Sequence, residues 1–109
     1  MSRHRNWCFT LNNWIEDEFE KIKKWIIKYC KYGIIGREIG EQGTPHLQGY
    51  FQRNNPGSLS GLKTQVSPRA HFEIARGTPS QNYEYCTKED GTPWEHGTLE
   101  DQSQGREMI

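Results

Sequence analysis

Two groups of side chains in this sequence have the makings of a metal-assisted reaction. In Pro45-His46-Leu47-Gln48-Gly49-Tyr50, strand alternation puts His46 and Gln48 on one face, about 7 Å apart between Cα atoms. An imidazole nitrogen and an amide oxygen held side by side can converge on one ion. A Gly-rich turn, Gly40 to Thr44, precedes this segment; if it closes a hairpin, Glu38 on the neighbouring strand supplies a carboxylate. Nitrogen, amide oxygen, carboxylate and water suit Mn2+ or Mg2+. By spacing alone a metal is expected in roughly one case in ten, the plainer reading being a polar surface pair.

The second group is Tyr85 and Lys88, neighbours on a helix with Cβ atoms roughly 5–6 Å apart. With a pKa near 10, about one tyrosine in a thousand is ionised at neutral pH, a deficit of about 4 kcal/mol for a nucleophile. A nearby ammonium or metal favours the phenolate and recovers part of that. An arbitrary Tyr-x-x-Lys is more simply a packed ring beside a solvated lysine. Tyr83, two residues earlier and so turned by about 200°, is assigned to packing.

The elements that must position these groups are legible in the pattern. Trp7, Phe9 and Leu11 alternate with Cys8, Thr10 and Asn12, which reads as a half-buried strand. Ile15, Phe19, Ile22, Ile26 and Tyr29 form an apolar helical stripe. Glu16, Asp17 and Glu18 lie in its first turn, Lys28 and Lys31 in its last, and Gly33 is the expected stop. A second strand is expected from about Gly33 to Ile39 and a third from Pro45 to about Arg53. The loop 54–57 then leads to a short helix, Leu59 to Thr64, capped by Ser58. His71 to Ala75 reads as a fourth strand. Thr78-Pro79-Ser80-Gln81 is a capping box that opens a helix to about Glu89, with Gly91 as terminator, and 93–97 is a last short strand. This order predicts an α+β fold, an antiparallel central sheet with packed helices of the ferredoxin-like kind.

At 109 residues the chain fits one domain, expected over 1–98, with 99–109 a polar tail or linker. Its 14 basic and 14 acidic residues balance, which excludes coating of nucleic acid by bulk charge. An odd cysteine count, Cys8, Cys30 and Cys86, argues against a disulfide framework and a thiolate zinc site. No apolar run approaches a membrane span, so a soluble, intracellular protein is expected, with no membrane partner.

Together these segments resemble the HUH endonuclease domain of replication initiator (Rep) proteins of circular single-stranded DNA viruses. Cys8-Phe9-Thr10-Leu11-Asn12-Asn13 is similar to the family's first motif, a strand linked to origin recognition. Residues 45–50 are similar to its metal motif, and Tyr85-Cys86-Thr87-Lys88-Glu89-Asp90 to its nucleophile motif. The three lie in order over residues 6–90. Many relatives carry two histidines in the metal motif; the His46-x-Gln48 form is similar to the circovirus and nanovirus branch. The family's acidic ligand maps to Glu38, with Glu41 as runner-up. Family proteins continue into a superfamily 3 helicase. No Gly-x-x-x-x-Gly-Lys occurs here, so an excised domain or truncated form is expected.

The resemblance implies metal-dependent nicking and joining of single-stranded origin DNA, a stem-loop, through a 5′-phosphotyrosine at Tyr85, in the host nucleus. Lys88 would serve the metal shell, the phosphate or the phenolate. Oligomerisation would belong to the full-length protein. Sequence preference is expected from base contacts, with Arg3, Arg5, Asn12, Asn13, Lys63 and Arg76 as candidate readers and Tyr50 as a candidate stacking ring. Two other readings stay open: a non-catalytic module that binds single-stranded nucleic acid, and an interaction domain whose His46 and Glu38 hold a structural ion.

Overall fold

In the computed structural model, which describes residues 2–100, the chain alternates strands and helices in the expected order. The elements are β1 (His4–Asn12), α1 (Glu16–Tyr29), β2 (Cys30–Ile39), β3 (Pro45–Gly57), α2 (Leu59–Gln65), β4 (His71–Ile74), α3 (Pro79–Thr87) and β5 (Trp94–His96). The sheet order is β4-β1-β3-β2-β5, with every neighbouring pair antiparallel. The first four strands therefore interlock two β-α-β units in the ferredoxin-like way, and β5 extends the β2 edge.

Period-two alternation divides the sheet between two small cores. Trp7, Phe9 and Leu11 of β1 and Leu47 and Phe51 of β3 meet Phe19, Ile22, Trp25 and Ile26 of α1 and Leu62 of α2. On the opposite face Tyr32, Ile34 and Tyr50 meet Cys86 of α3, with Cys8, Ala75, Tyr83 and Leu99 packed at the margin. Tyr83 thus takes the packing role expected of it.

The boundaries differ from the pattern where tertiary contact intervenes. Gly33 does not end α1; the helix stops at Tyr29, and Gly33 lies inside β2. A Cβ there would meet Ile26 Cγ2 at 2.5 Å, so glycine lets α1 lie close on the sheet. Ile15 is the exposed N-cap of α1 and Tyr29 is half exposed, whereas Trp25 fills the buried stripe. Strand β3 continues through an irregular stretch to Gly57 where a loop was expected. Helix α3 ends at Thr87, and Gly91 has no left-handed φ, so it is not a terminator of that kind. Ser58 accepts from the Gly61 amide at 3.2 Å, as its capping role requires. Leu99 packs on the smaller core and Glu100 lies 3.7 Å from Lys31. Residues 101–109 lie outside the described ones. Among the described residues no helix is long and apolar enough to cross a membrane, and all three cysteines are free.

Candidate active site

The β-ladder assembles the first group. Glu38 pairs with His46 across β2 and β3, Gly36 with Gln48, and Thr10 of β1 with Gln48 from the other side. Paired residues share a face, so Glu38, His46, Gln48 and Thr10 all leave the α3 side of the sheet. The His46 Nε2 and Glu38 Oε1 atoms are 2.8 Å apart, and the Gln48 amide oxygen accepts from the Thr10 hydroxyl at 2.9 Å. Glu38 and Gln48 are each 7% exposed. The hairpin thus puts Glu38 beside His46, whereas Glu41 is exposed in the turn.

Glu38 Oε2 is buried and has no hydrogen-bond partner. A buried carboxylate oxygen without a donor is costly, and a cation is the partner that relieves it most directly. Gln48 Oε1 has a second lone pair beyond the one Thr10 occupies. The donor set, one imidazole, one carboxylate and one amide oxygen, therefore fits a hard divalent ion. No three His, Cys, Asp or Glu side chains converge among the described residues; the third donor is an amide.

Helix α3 carries the second group. The Thr78 hydroxyl accepts from the Gln81 amide at 3.1 Å while the Gln81 side chain accepts from the Thr78 amide at 2.8 Å, and Pro79 fills the first turn. Asn82, nearly buried, accepts from the Cys8 thiol at 3.1 Å and donates to the Arg76 and Thr78 carbonyls, pinning the helix to β1. At the other end Asp90 accepts from the Arg37 amide at 2.9 Å and from its guanidinium at 3.0 Å. The hydrogen bond from the Arg37 guanidinium, helped by the Arg37 and Thr92 amides, holds the Asp90 carboxyl at about 2, below its ordinary value. Between these anchors Gly36 lets α3 touch β2, since a Cβ there would come within 1.9 Å of the Cys86 carbonyl oxygen.

That placement brings Tyr85 to the face that carries Thr10 and Gln48. Tyr85 is 53% exposed. It lines a cavity of about 350 Å³ with Cys8, Thr10, Gln48, Glu73, Arg76 and Asn82. The Lys88 ammonium sits 4.1 Å from the centre of the Tyr85 ring, a cation–π contact through the ring face. Burial, reinforced by Glu73, pushes the Cys8 thiol up to about 11, so the cysteine in this cavity is a packing group and not a nucleophile.

The candidate readers divide. Arg76 lines the cavity, and Asn12 pairs with His46 on the same face. Asn13 adopts a left-handed turn (φ 52°) just beyond. Arg3 and Arg5 lie at the far end of β1, donating to the Pro56 and Asn54 carbonyls. Lys63 is on the opposite side of the sheet, bonded to the Ala70 carbonyl above the Phe72 ring, and does not join them. Tyr50 is 1% exposed and accepts from Gln52, so its ring is core and cannot stack on bases. Thr10, Asn82 and the Arg37–Asp90 pair were not singled out from sequence. Only Thr10 left a signal, its alternation with Phe9 and Leu11.

A ferredoxin-like sheet with His-x-Gln on its central strand and a tyrosine-bearing helix over that face has the architecture of the replication-initiator class that the motifs resemble. Residues 4–89 match the family described as "Putative viral replication protein". The chain is 53% identical over 85 residues to the replication-associated protein of beak and feather disease virus, covering 78% of this chain and 29% of that protein. It is 41% identical over 106 residues to that of porcine circovirus 2 (96% and 34%). The master replication protein of milk vetch dwarf virus is 40% identical over 102 residues (87% and 33%). The chain belongs to this family, the Rep proteins of circular single-stranded DNA viruses. It spans about a third or less of the length of these relatives, 29%, 34% and 33% in turn.

Proposed function

We propose that this domain nicks and rejoins single-stranded DNA at a viral replication origin. Tyr85 is the nucleophile, and Glu38, His46 and Gln48 hold a divalent ion, Mn2+ or Mg2+. The observation that carries the reading is the shared cavity: Tyr85 on α3 and Gln48 on β3 line one space, next to the Glu38–His46 pair. The unpartnered oxygen of Glu38 supports the metal. When bound, the ion would polarise the scissile phosphate and offset its developing charge.

The Tyr85 oxygen attacks phosphorus in line with the departing 3′-oxygen. The phenol proton passes to solvent, which half-exposed Tyr85 can reach. The P–O3′ bond breaks, and the 3′-oxygen takes a proton in turn. The products are a 5′-phosphotyrosine and a free 3′-hydroxyl. Because one phosphoester replaces another, the reverse attack by a 3′-hydroxyl reseals a strand without ATP. The Lys88 ammonium, held against the Tyr85 ring, would serve the metal shell or the phosphate. The anchors at Asn82 and Asp90 hold the reacting oxygen in place, where positioning is worth several kcal/mol. Arg76 and Asn12 are placed to read bases beside the cut. In the whole protein the same reading places the domain on an origin stem-loop in the host nucleus, with assembly through other regions.

The test mixes the chain with a labelled single-stranded oligonucleotide carrying a viral origin loop, with Mn2+ and then with EDTA. A metal-dependent protein–DNA adduct that disappears in Tyr85→Phe, while binding persists, is the expected result. DNA bound but never cut, across several origin loops and both metals, would replace the reading with that of a binding module.

A further inference from the structure

The chain as a whole has no net charge, yet the end of the sheet farthest from His46 is basic. In the β1–β3 ladder Asn12 lies opposite His46 and His4 opposite Gly57, so the two ends stand about 26 Å apart. At the Gly57 end Arg3 and Arg53 line a cavity of about 210 Å³ together with Pro56, Ser58 and Gly61. Arg53 alternates with Phe51 along β3 and therefore faces α1, away from Tyr85. Its guanidinium is held in place: Cζ lies 5.3 Å from the Trp25 ring centre. On its other side it crosses Gly57, where a Cβ would come within 1.7 Å of Nη1.

This guanidinium is poorly compensated. Arg53 Nε is buried with no hydrogen-bond partner. Among the described residues no carboxylate forms an ion pair with Arg53 or Arg3. Burial, together with the Arg3 charge, lowers the pKa of Arg53, which is the sign of a cation lacking an anion. Arg3 donates to the Pro56 carbonyl at 3.1 Å, which holds its own charge over the same cavity. Arg3, His4 and Arg5 continue the basic surface into an adjoining hollow. A planar fork held rigid, with a second arginine beside it and no acid nearby, matches the oxygens of a phosphate group.

We propose that Arg3 and Arg53 form a phosphate-binding site, separate from the Tyr85 cavity, on the α1 face of the sheet at the end far from His46. A nucleic-acid backbone is one source of that phosphate and a free phosphate group the other. On straight duplex at about 3.4 Å per base pair, the 26 Å between the two ends of the ladder is about eight base pairs. The site stands on its own geometry and does not require that Tyr85 cut DNA.

The experiment uses the whole chain in EDTA, so that no cleavage intervenes. Affinities for a stem-loop oligonucleotide are measured against salt for the wild type, Arg53→Gln and Arg3→Gln. Melting is measured with and without inorganic phosphate. Arg3 is exposed, so its variant keeps the test usable if Arg53→Gln folds poorly. Each variant is expected to lower the magnitude of the slope of log K against log salt by about 0.9, the value of one duplex phosphate contact. That result assigns the site to the DNA backbone. Unchanged slopes, with phosphate raising the melting temperature of the wild type alone, assign it to a free phosphate group. Wild-type slopes and an equal phosphate response in both variants would overturn the proposal.

Discussion

Gly36→Ala tests whether α3 must lie hard against β2 for Tyr85 to work. The added Cβ would stand 1.9 Å from the Cys86 carbonyl oxygen, where real contacts stay above 3.0 Å. Backbone on both sides leaves no flexible side chain to yield, so the helix end has to lift by about 1 Å or more. Overpacking of this size costs about 1–3 kcal/mol. For a domain of this length that lowers Tm by roughly 5–20 °C. Because Cys86 follows Tyr85 directly, the proposed nucleophile moves with the helix, and a 1 Å displacement can cost about a hundredfold in rate. Differential scanning fluorimetry and adduct formation on a short origin strand read both effects, with kcat expected to fall and KM to change little. Gly91→Ala is the control, since nothing lies within 4 Å of its added methyl. A Gly36→Ala protein with wild-type Tm and wild-type cleavage would refute the reasoning.

Glu38→Gln removes a buried charge with an unpartnered oxygen, so in EDTA its Tm is expected to equal or exceed that of the wild type. The stabilisation expected of Mn2+ in the wild type, about 2.7 kcal/mol at a hundredfold excess over Kd, should be absent; equal Mn2+ shifts in both proteins would remove Glu38 from the proposed ligand set. Asp90 is held down to about 2 from 3.8, so its contribution is present above pH 4 and is lost as pH falls toward 2. Half-exposed Arg37 trims that contribution to about 1 kcal/mol. Acid titration should therefore unfold Asp90→Asn with a shallower stability loss between pH 4 and 2 than the wild type, and parallel curves would count against the pair. With its thiol pushed up to about 11, Cys8 has about one thiolate in a thousand at pH 8, so iodoacetamide should label it far more slowly than free cysteine.

Much of the site was legible because it depends on short-range geometry. Alternation alone put His46 and Gln48 on one face, and helical spacing made Tyr85 and Lys88 neighbours. The capping box at Thr78 located the start of α3 from four residues. What alternation could not supply was register and close approach. The choice of Glu38 over Glu41 as the acid beside His46 follows from the pairing of β2 with β3. The burial of Tyr50, the place of Lys63 across the sheet and the Arg37–Asp90 clamp each depend on which face meets which helix. Gly33 and Gly91 misled the sequence reading for the same reason: a glycine can serve a turn, a terminator or a tight contact, and only its neighbours decide.

The sequence by itself determined the order of elements, the two faces of β1 and β3, and the residue types able to hold a cation and attack phosphorus. These follow from periods of 2 and 3.6 residues and from side-chain chemistry, which act over a few positions. Tertiary structure alone decided that Tyr85 and Gln48 share one cavity and that Arg3 and Arg53 share another. Both join residues more than thirty positions apart, through contacts made only when the helices settle on the sheet.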